Sequence, residues 1–180
     1  VIAAGKTRFL IDVTSGGYGL PDLGTALLSK KSGGIKYRPL ATTGGAESVL
    51  RLLSGDADMG QNSASTTVAH IKTGDLIPVL IESDTWPLLE AMGSPKSKTL
   101  YGYSISNPSA VVGPPNLPAP IRLEIQKAVK AALDDPIVKA NMEKTFEMVR
   151  FKTGTQARAI AVAARNGYLP VLRSVGKVLK

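Results

Sequence analysis

Cysteine is absent from this 180-residue chain, which removes disulfides, thiolate nucleophiles and cysteine metal sites at once and is compatible with an oxidising compartment. Histidine occurs once, at His70, late in a helix-like stretch, where a capping or surface role fits better than a base or ligand. No spacing of acidic residues suggests a metal site. No apolar run approaches the roughly 18 residues of a membrane span. The opening "VIAAGKTRF" is too short for a signal peptide, and the chain begins at Val1 rather than Met, so it is expected to be a processed or excised piece of something longer. Aromatic residues make up only 5%, and no segment is of low complexity.

What is present suffices for a core, since 43% of residues are hydrophobic. Lysine and arginine outnumber aspartate and glutamate 22 to 14, a net charge of +8. Such a bias serves anionic small molecules as readily as polymers. The cations are scattered through helical stretches with few aromatics between them, so no nucleic-acid partner is expected.

Residues 9–13, apolar and β-branched around Asp12, predict a buried strand ending at Thr14. The loop "TSGGYG" follows, then Pro21 and Asp22 open a helix through Lys31 with Leu23, Leu27 and Leu28 on one face. The same order repeats as strand 35–40, loop "TTGGAE" and helix 46–53. It repeats again as strand 57–61, loop "NSAS" and a short helix ending at Ile71, followed by strand 76–82. Strands alternating with helices imply right-handed crossovers and a mainly parallel sheet flanked by helices, an α/β class. The three polar loops would crowd at one sheet edge.

Proline and glycine become frequent from Ser83 to Pro120, predicting a crossover around one strand at 109–113. Beyond it, Ile121, Ile125, Val129 and Leu133 form an apolar stripe, and "DDP" at 134–136 caps and restarts a helix. A strand near 148–151 and a final helix from Thr155, interrupted near Gly167 and Pro170, complete the pattern. Three regions result: 1–84 as an α/β lobe, 85–120 as a crossover with one strand, and 121–180 as a mainly helical segment.

A helix start presents amide N–H groups without intrahelical partners and the positive end of a dipole. Glycine lets a ligand come close, and serine or threonine adds a hydroxyl. "TSGGYG" and "TTGGAE" are therefore anion receptors in physical terms, suited to carboxylates or phosphates. Neither is a lysine-bearing phosphate loop, and no dinucleotide fingerprint is completed. Ser15 lacks the nucleophile-elbow context and a histidine partner in order. Asp56 and Asp58 read as a solvent-facing and a pairing or capping residue, and Trp86 with the nearby tyrosines as hinge packing. No catalytic set, cofactor or metal site emerges. A binding protein is the leading class, with an enzyme using the loops as an oxyanion or phosphate site as the rival.

The order of motifs resembles a family, the substrate-binding proteins of bacterial tripartite tricarboxylate transporters, also called Bug or TctC proteins. "TSGGYGLPDLGTALL", "ATTGGAESVLRLLSGDADM", "QNSASTTVAHIKTGDL" and "VGPPNLPAPIRLEIQKAVKAALDDPIVKANM" follow the family's sequence of units, with "HIKTG" and "DDPIVKANM" the nearest matches. The resemblance implies an exported, periplasmic receptor of two lobes that closes on a small mono- or dicarboxylate and delivers it to a membrane permease. Carried over by position, the ligand-binding residues would be Thr14, Ser15, Gly16 and Gly17, then Thr42, Thr43 and Gly44, then Gln61, Asn62 and Ser63. The chain departs from the family at Gly19 to Asp22, where hydroxyls give way to a carboxylate. It departs again at Thr42 and Thr43, in place of Tyr and Lys, and at Gln61, in place of Asp. Family members are longer, so the resemblance implies one periplasmic-binding-protein-like lobe plus C-terminal helices of a second, incomplete lobe. A missing lobe or a dimer partner would cover their apolar face. A TAXI-type periplasmic solute receptor, which shares the flavour of "GGAESVLRLLSGDADMG", is the related alternative.

Overall fold

A computed structural model describes residues 2–15, 19–84, 86–105, 109–144 and 146–174. The chain runs α1 (Ile2–Thr7), β1 (Leu10–Thr14), α2 (Leu20–Lys31), β2 (Tyr37–Ala41), α3 (Gly45–Leu53), β3 (Met59–Gly60), α4 (Ala64–Thr73), α5 (Pro87–Ala91) and α6 (Ser97–Tyr101). Then come α7 (Ala119–Asp134), α8 (Pro136–Lys144) and α9 (Gly154–Ser174). By its contacts the chain divides into one compact unit of residues 1–107 with 167–180 and another of 108–166.

The first unit is built on a parallel sheet of order β2-β1-β3. Right-handed crossovers put α2 on one face of it and α3 on the other, because β2 lies to one side of β1 and β3 to the opposite side. Side chains on β1 alternate accordingly. Leu10 turns to the α2 face and packs with Ile35, Met59, Leu28 and Tyr37. Val13 turns the other way. The far end of α2 buries Leu23, Ala26 and Leu27 against Tyr103, Ile105 and Val171. A third cluster joins Ile71 of α4 to Ile81, Leu89 and Trp86.

The three alternating units take the expected order and the sheet is parallel. Several expected strands are not formed, however. Residues 76–82 hold only a parallel bridge from Ile81 to Lys96; Pro78 lacks an amide donor and Ile77 and Val79 face solvent. Residues 109–113 and 148–151 are not strands either, and Val111 and Val112 are exposed. β-propensity reports fit to a pleated, half-buried surface, and these segments have no neighbouring strand among the described residues. The last helix is not interrupted. α9 runs through Gly167 and Pro170, because Tyr168, Val171 and Leu172 dock beside α2 and tertiary burial outweighs the lost helical bond.

In the second unit, Asp135 caps α8 as "DDP" predicts, its Oδ1 accepting from the Ile137 amide at 2.7 Å and the Val138 amide at 3.3 Å. Gln126 Oε1 accepts from the Gly154 amide at 2.9 Å, tying α7 to the start of α9. Neither α7 nor α8 has a buried residue, and Ile121, Leu123, Ile125 and Ile137 are exposed.

Gly60 ends β3 directly over β1, where a Cβ would collide with Val13 Cγ2. Gly60→Ala is expected to lower the stability of the full-length protein by about 1–3 kcal/mol through overpacking, read as a fall in the urea midpoint at unchanged slope.

Candidate anion-binding edge

The register sets Thr14 beside Ala41 and Val13 beside Gly60. The three strands thus end nearly level, and each feeds a polar loop into a helix start. Because the order is β2-β1-β3, the chain reverses direction between β1 and β3, and crevices at such switch points are where open α/β sheets bind ligands. The loops after β1 and β3 flank that crevice, while the loop after β2 lies on the other side of β1.

In the first loop, Thr14 closes β1 with its side chain buried and Oγ1 without a hydrogen-bond partner among the described residues. Ser15 Oγ donates to Asp22 Oδ2 at 3.0 Å, and the Gly19 amide donates to the same oxygen at 3.1 Å. Asp22, in the first turn of α2, therefore occupies the mouth of its own helix. Gly16 and Gly17 lie outside the described residues.

In the second loop, Thr42 is used structurally: its amide and its hydroxyl both donate to the Thr14 carbonyl, at 2.9 and 3.0 Å. Thr43 is used as well, its amide at 2.9 Å and hydroxyl at 2.8 Å both donating to Glu47 Oε2. These Thr43 bonds, the backbone one first, hold the Glu47 carboxyl below its usual range, with Arg51 adding to the effect. Gly44 differs. Its backbone is extended, and a Cβ there would meet nothing within 4 Å.

In the third loop, Gln61 and Asn62 are half-buried and Ser63 is exposed. Ser63 Oγ lies 3.2 Å from Ser65 Oγ and 3.3 Å from Thr66 Oγ1. Thr66 and Thr67 hydroxyls each donate to the Ser63 carbonyl at 3.0 Å. Ser65 and Thr66 thus join the edge beside the expected Gln61, Asn62 and Ser63; the run "SAST" beginning at the N-cap Ser63 was the available signal. Gln61 reaches under α2, where a Cβ on Gly24 would stand 2.5 Å from Gln61 Oε1 and 2.7 Å from Glu82 Oε2. Glycine at that position permits the close approach.

A group the sequence reading did not single out lies beneath the first loop. Asp12 is wholly buried in the central strand, and neither carboxyl oxygen has a hydrogen-bond partner among the described residues. Burial pushes this carboxyl up to about 7; the nearby Thr25 hydroxyl, without forming a well-shaped hydrogen bond, pulls it down, while the Asp22 and Glu82 charges raise it. Glu82 Oε1 accepts from the Tyr103 hydroxyl at 2.7 Å. Burial also raises the Glu82 carboxyl, and it raises the Tyr103 phenol, with the Glu82 charge adding.

The remaining candidates stay apart from the edge. His70 Nδ1 lies 3.8 Å from Asp75 on the half-exposed end of α4. Asp58 pairs with Arg8 at 2.7 Å and accepts the Ile11 amide at 2.8 Å, and Asp56 pairs with Arg51 at 3.0 Å. Trp86 packs on the Ile71 cluster. Among the described residues no group of acidic or histidine side chains is arranged to hold a metal ion, and no helix is long and apolar enough to cross a membrane.

No family profile and no curated protein matches the sequence. Solved structures do resemble the fold. An R. palustris protein solved with adipate superposes with a TM-score of 0.85 at 17% identity, over 97% of this chain and 59% of that one. A TctC solute-binding protein from Polaromonas, solved without ligand, gives 0.74 at 17% identity, over 96% and 60%. The chain thus shares the fold of these two structures over about three fifths of their length.

The buried acid makes a pH prediction. Unfolded, Asp12 ionises near pH 4; folded, it holds its proton to about pH 7. Between those values the folded state binds more protons, so stability falls as pH rises through the window and levels above it. Glu82 acts with the same sign, while the lowered acids Glu47, Asp56, Asp58 and Asp134 lie at the surface and contribute little. Urea titrations from pH 4 to 8 should show this decline, worth up to about 4 kcal/mol, and Asp12→Asn should flatten it and raise the midpoint at pH 8. A wild-type stability that climbs steadily across this range would refute the assignment.

Proposed function

We propose that the chain is the larger part of a solute-binding receptor, which captures a small organic carboxylate in the periplasm for a tripartite tricarboxylate-type membrane permease. The observation that carries this reading is the level ending of three parallel strands, which gathers three polar helix starts at one edge beside a switch point. An acid placed there meets amide N–H groups, hydroxyls and helix dipoles. The TctC-type fold supports the reading, as does the adipate held by one structural neighbour. The rest of the receptor would supply the opposite wall of the cleft and cover the exposed apolar residues of α7 and α8, and closure of the two lobes would complete the ligand's polar partners.

The Ser15 hydroxyl donates to Asp22, a helix-capping carboxylate, and has no histidine relay, which favours binding over hydrolysis. Incubation of the full-length protein with esters and phosphoesters is expected to give no turnover.

A thermal-shift panel of mono- and dicarboxylates on the full-length protein tests the reading: at least one acid should raise the melting temperature. Gly44→Val should fold normally, since its side chain enters open space beside an extended backbone, yet bind that acid about tenfold or more weakly by blocking the helix mouth. Wild-type affinity in this variant would remove the second loop from the site.

A further inference from the structure

The end of the sheet opposite the polar loops carries an excess of one charge. Residues 1–11 and 23–46 hold Lys6, Arg8, Lys30, Lys31, Lys36 and Arg38 and no acidic residue. The fold brings these two stretches together. The Lys36 amide donates to the Gly5 carbonyl at 2.7 Å, joining α1 to the start of β2, and Arg38 stands beside Ile11 in the β1–β2 register. Lys6 lies in the last turn of α1, and Lys30 and Lys31 in the last turn of α2. A Cβ on Gly33, in the turn from α2 to β2, would stand 4.0 Å from Lys6 Nζ, which places the Lys6 ammonium over that turn.

All six cations are exposed. Arg8 is neutralised by Asp58 at 2.7 Å. The other five make no ion pair among the described residues, whereas Arg51, Lys96 and Lys127 elsewhere on the chain are each paired with a carboxylate. Helix dipoles account for Lys6, Lys30 and Lys31 at helix C-termini, and a charge on the edge strand β2 guards it against pairing with another chain. Neither requires that acids be missing from both stretches. Neither explains Phe9, which stands among the cations 53% exposed, with the Arg38 guanidinium carbon 5.1 Å from its ring centroid.

We propose that this end of the first unit docks on an anionic phospholipid surface, the five cations meeting headgroup phosphates and the Phe9 ring entering the interface. Four of the five are lysines, compact charges on flexible stems that suit a diffuse field of phosphates; forked pairing with the carboxylates of a protein partner favours arginine. The attachment is peripheral. Each cation strengthens it several-fold near the surface, and salt weakens it. The polar loops leave the strands at their other ends, so the lipid-bound molecule keeps its candidate ligand edge free.

Vesicle flotation of the full-length protein tests this, with vesicles of phosphatidylcholine alone and of phosphatidylcholine containing about one third phosphatidylglycerol. At low salt the mixed vesicles are expected to bind about tenfold or more tightly than the neutral ones, and about 0.5 M salt should abolish the difference. The triple variant Lys30→Gln, Lys31→Gln, Lys36→Gln should bind the mixed vesicles about tenfold or more weakly. Lys144→Gln, Lys152→Gln, Arg158→Gln, at exposed positions of the second unit, removes equal charge and should change binding less than about twofold. Phe9→Ala should weaken it at every salt concentration. Equal binding to both vesicles, equal loss in the two triple variants, or undiminished binding by Phe9→Ala overturns the proposal. Binding to polyglutamate without binding to vesicles also overturns it, in favour of an acidic protein partner. The wild-type vesicle comparison decides even where a variant fails to fold, and because no carboxylate ligand enters it, a negative result leaves the receptor reading standing.

Discussion

The arrangement depends on one lateral contact. Thr42 gives its amide and its hydroxyl to the Thr14 carbonyl, extending the β1–β2 ladder one step beyond the last strand residue. This pins the ends of the two longer strands level. With β3 paired to the other side of β1 at Asp12 and Val13, every chain segment leaving the sheet does so from the same edge, and right-handed crossovers require each to turn into a helix there. Convergence of helix starts is thus a consequence of strand register.

Convergence alone does not make an anion site, because a helix start can be quenched from within. Asp22 and Glu47 do this at α2 and α3: each places a carboxylate oxygen on a loop amide and a loop hydroxyl, which stabilises its helix and uses donors a ligand would need. Expected ligand residues Ser15, Thr42 and Thr43 are therefore partly committed to the fold. Gly44 has open space before it, and at α4 the Ser63 and Ser65 hydroxyls stand together with no acid in the first turn. The cations Arg8 and Arg51 are engaged in surface pairs.

Much of this was legible in the sequence, for reasons that are local. The strand–loop–helix order of the first three units, the loop positions and the Asp135 cap each follow from residues within a turn or two of one another. The strands expected at 76–82, 109–113 and 148–151 were misread because an apolar β-branched run becomes a strand only beside another strand, and that neighbour cannot be seen in a window of a few residues. Pro170 misled for the complementary reason: the burial of Val171 against α2 is a long-range fact that overrides a short-range rule. The Glu47 cap lay in plain view four residues after Thr43, whereas the Asp12 cluster did not. Asp12, Asp22, Gln61 and Glu82 are spread along the chain and meet only through the crossing of β1, α2 and the segment after α4. A lone aspartate in "LIDVT" was the single visible trace.

That aspartate is costly to the fold. Its neighbours on the strand, Leu10 and Val13, are apolar and buried, as central positions of a parallel sheet normally are. An apolar residue at position 12 would spare the fold both a desolvated carboxyl and its repulsion with Asp22 and Glu82. Unfavourable groups of this kind concentrate where a site's chemistry requires them. The same carboxyl weakens the fold when ionised, so anything that brings it a proton stabilises the folded state by linkage. Stability and protonation are thus coupled through one carboxyl beneath the first loop.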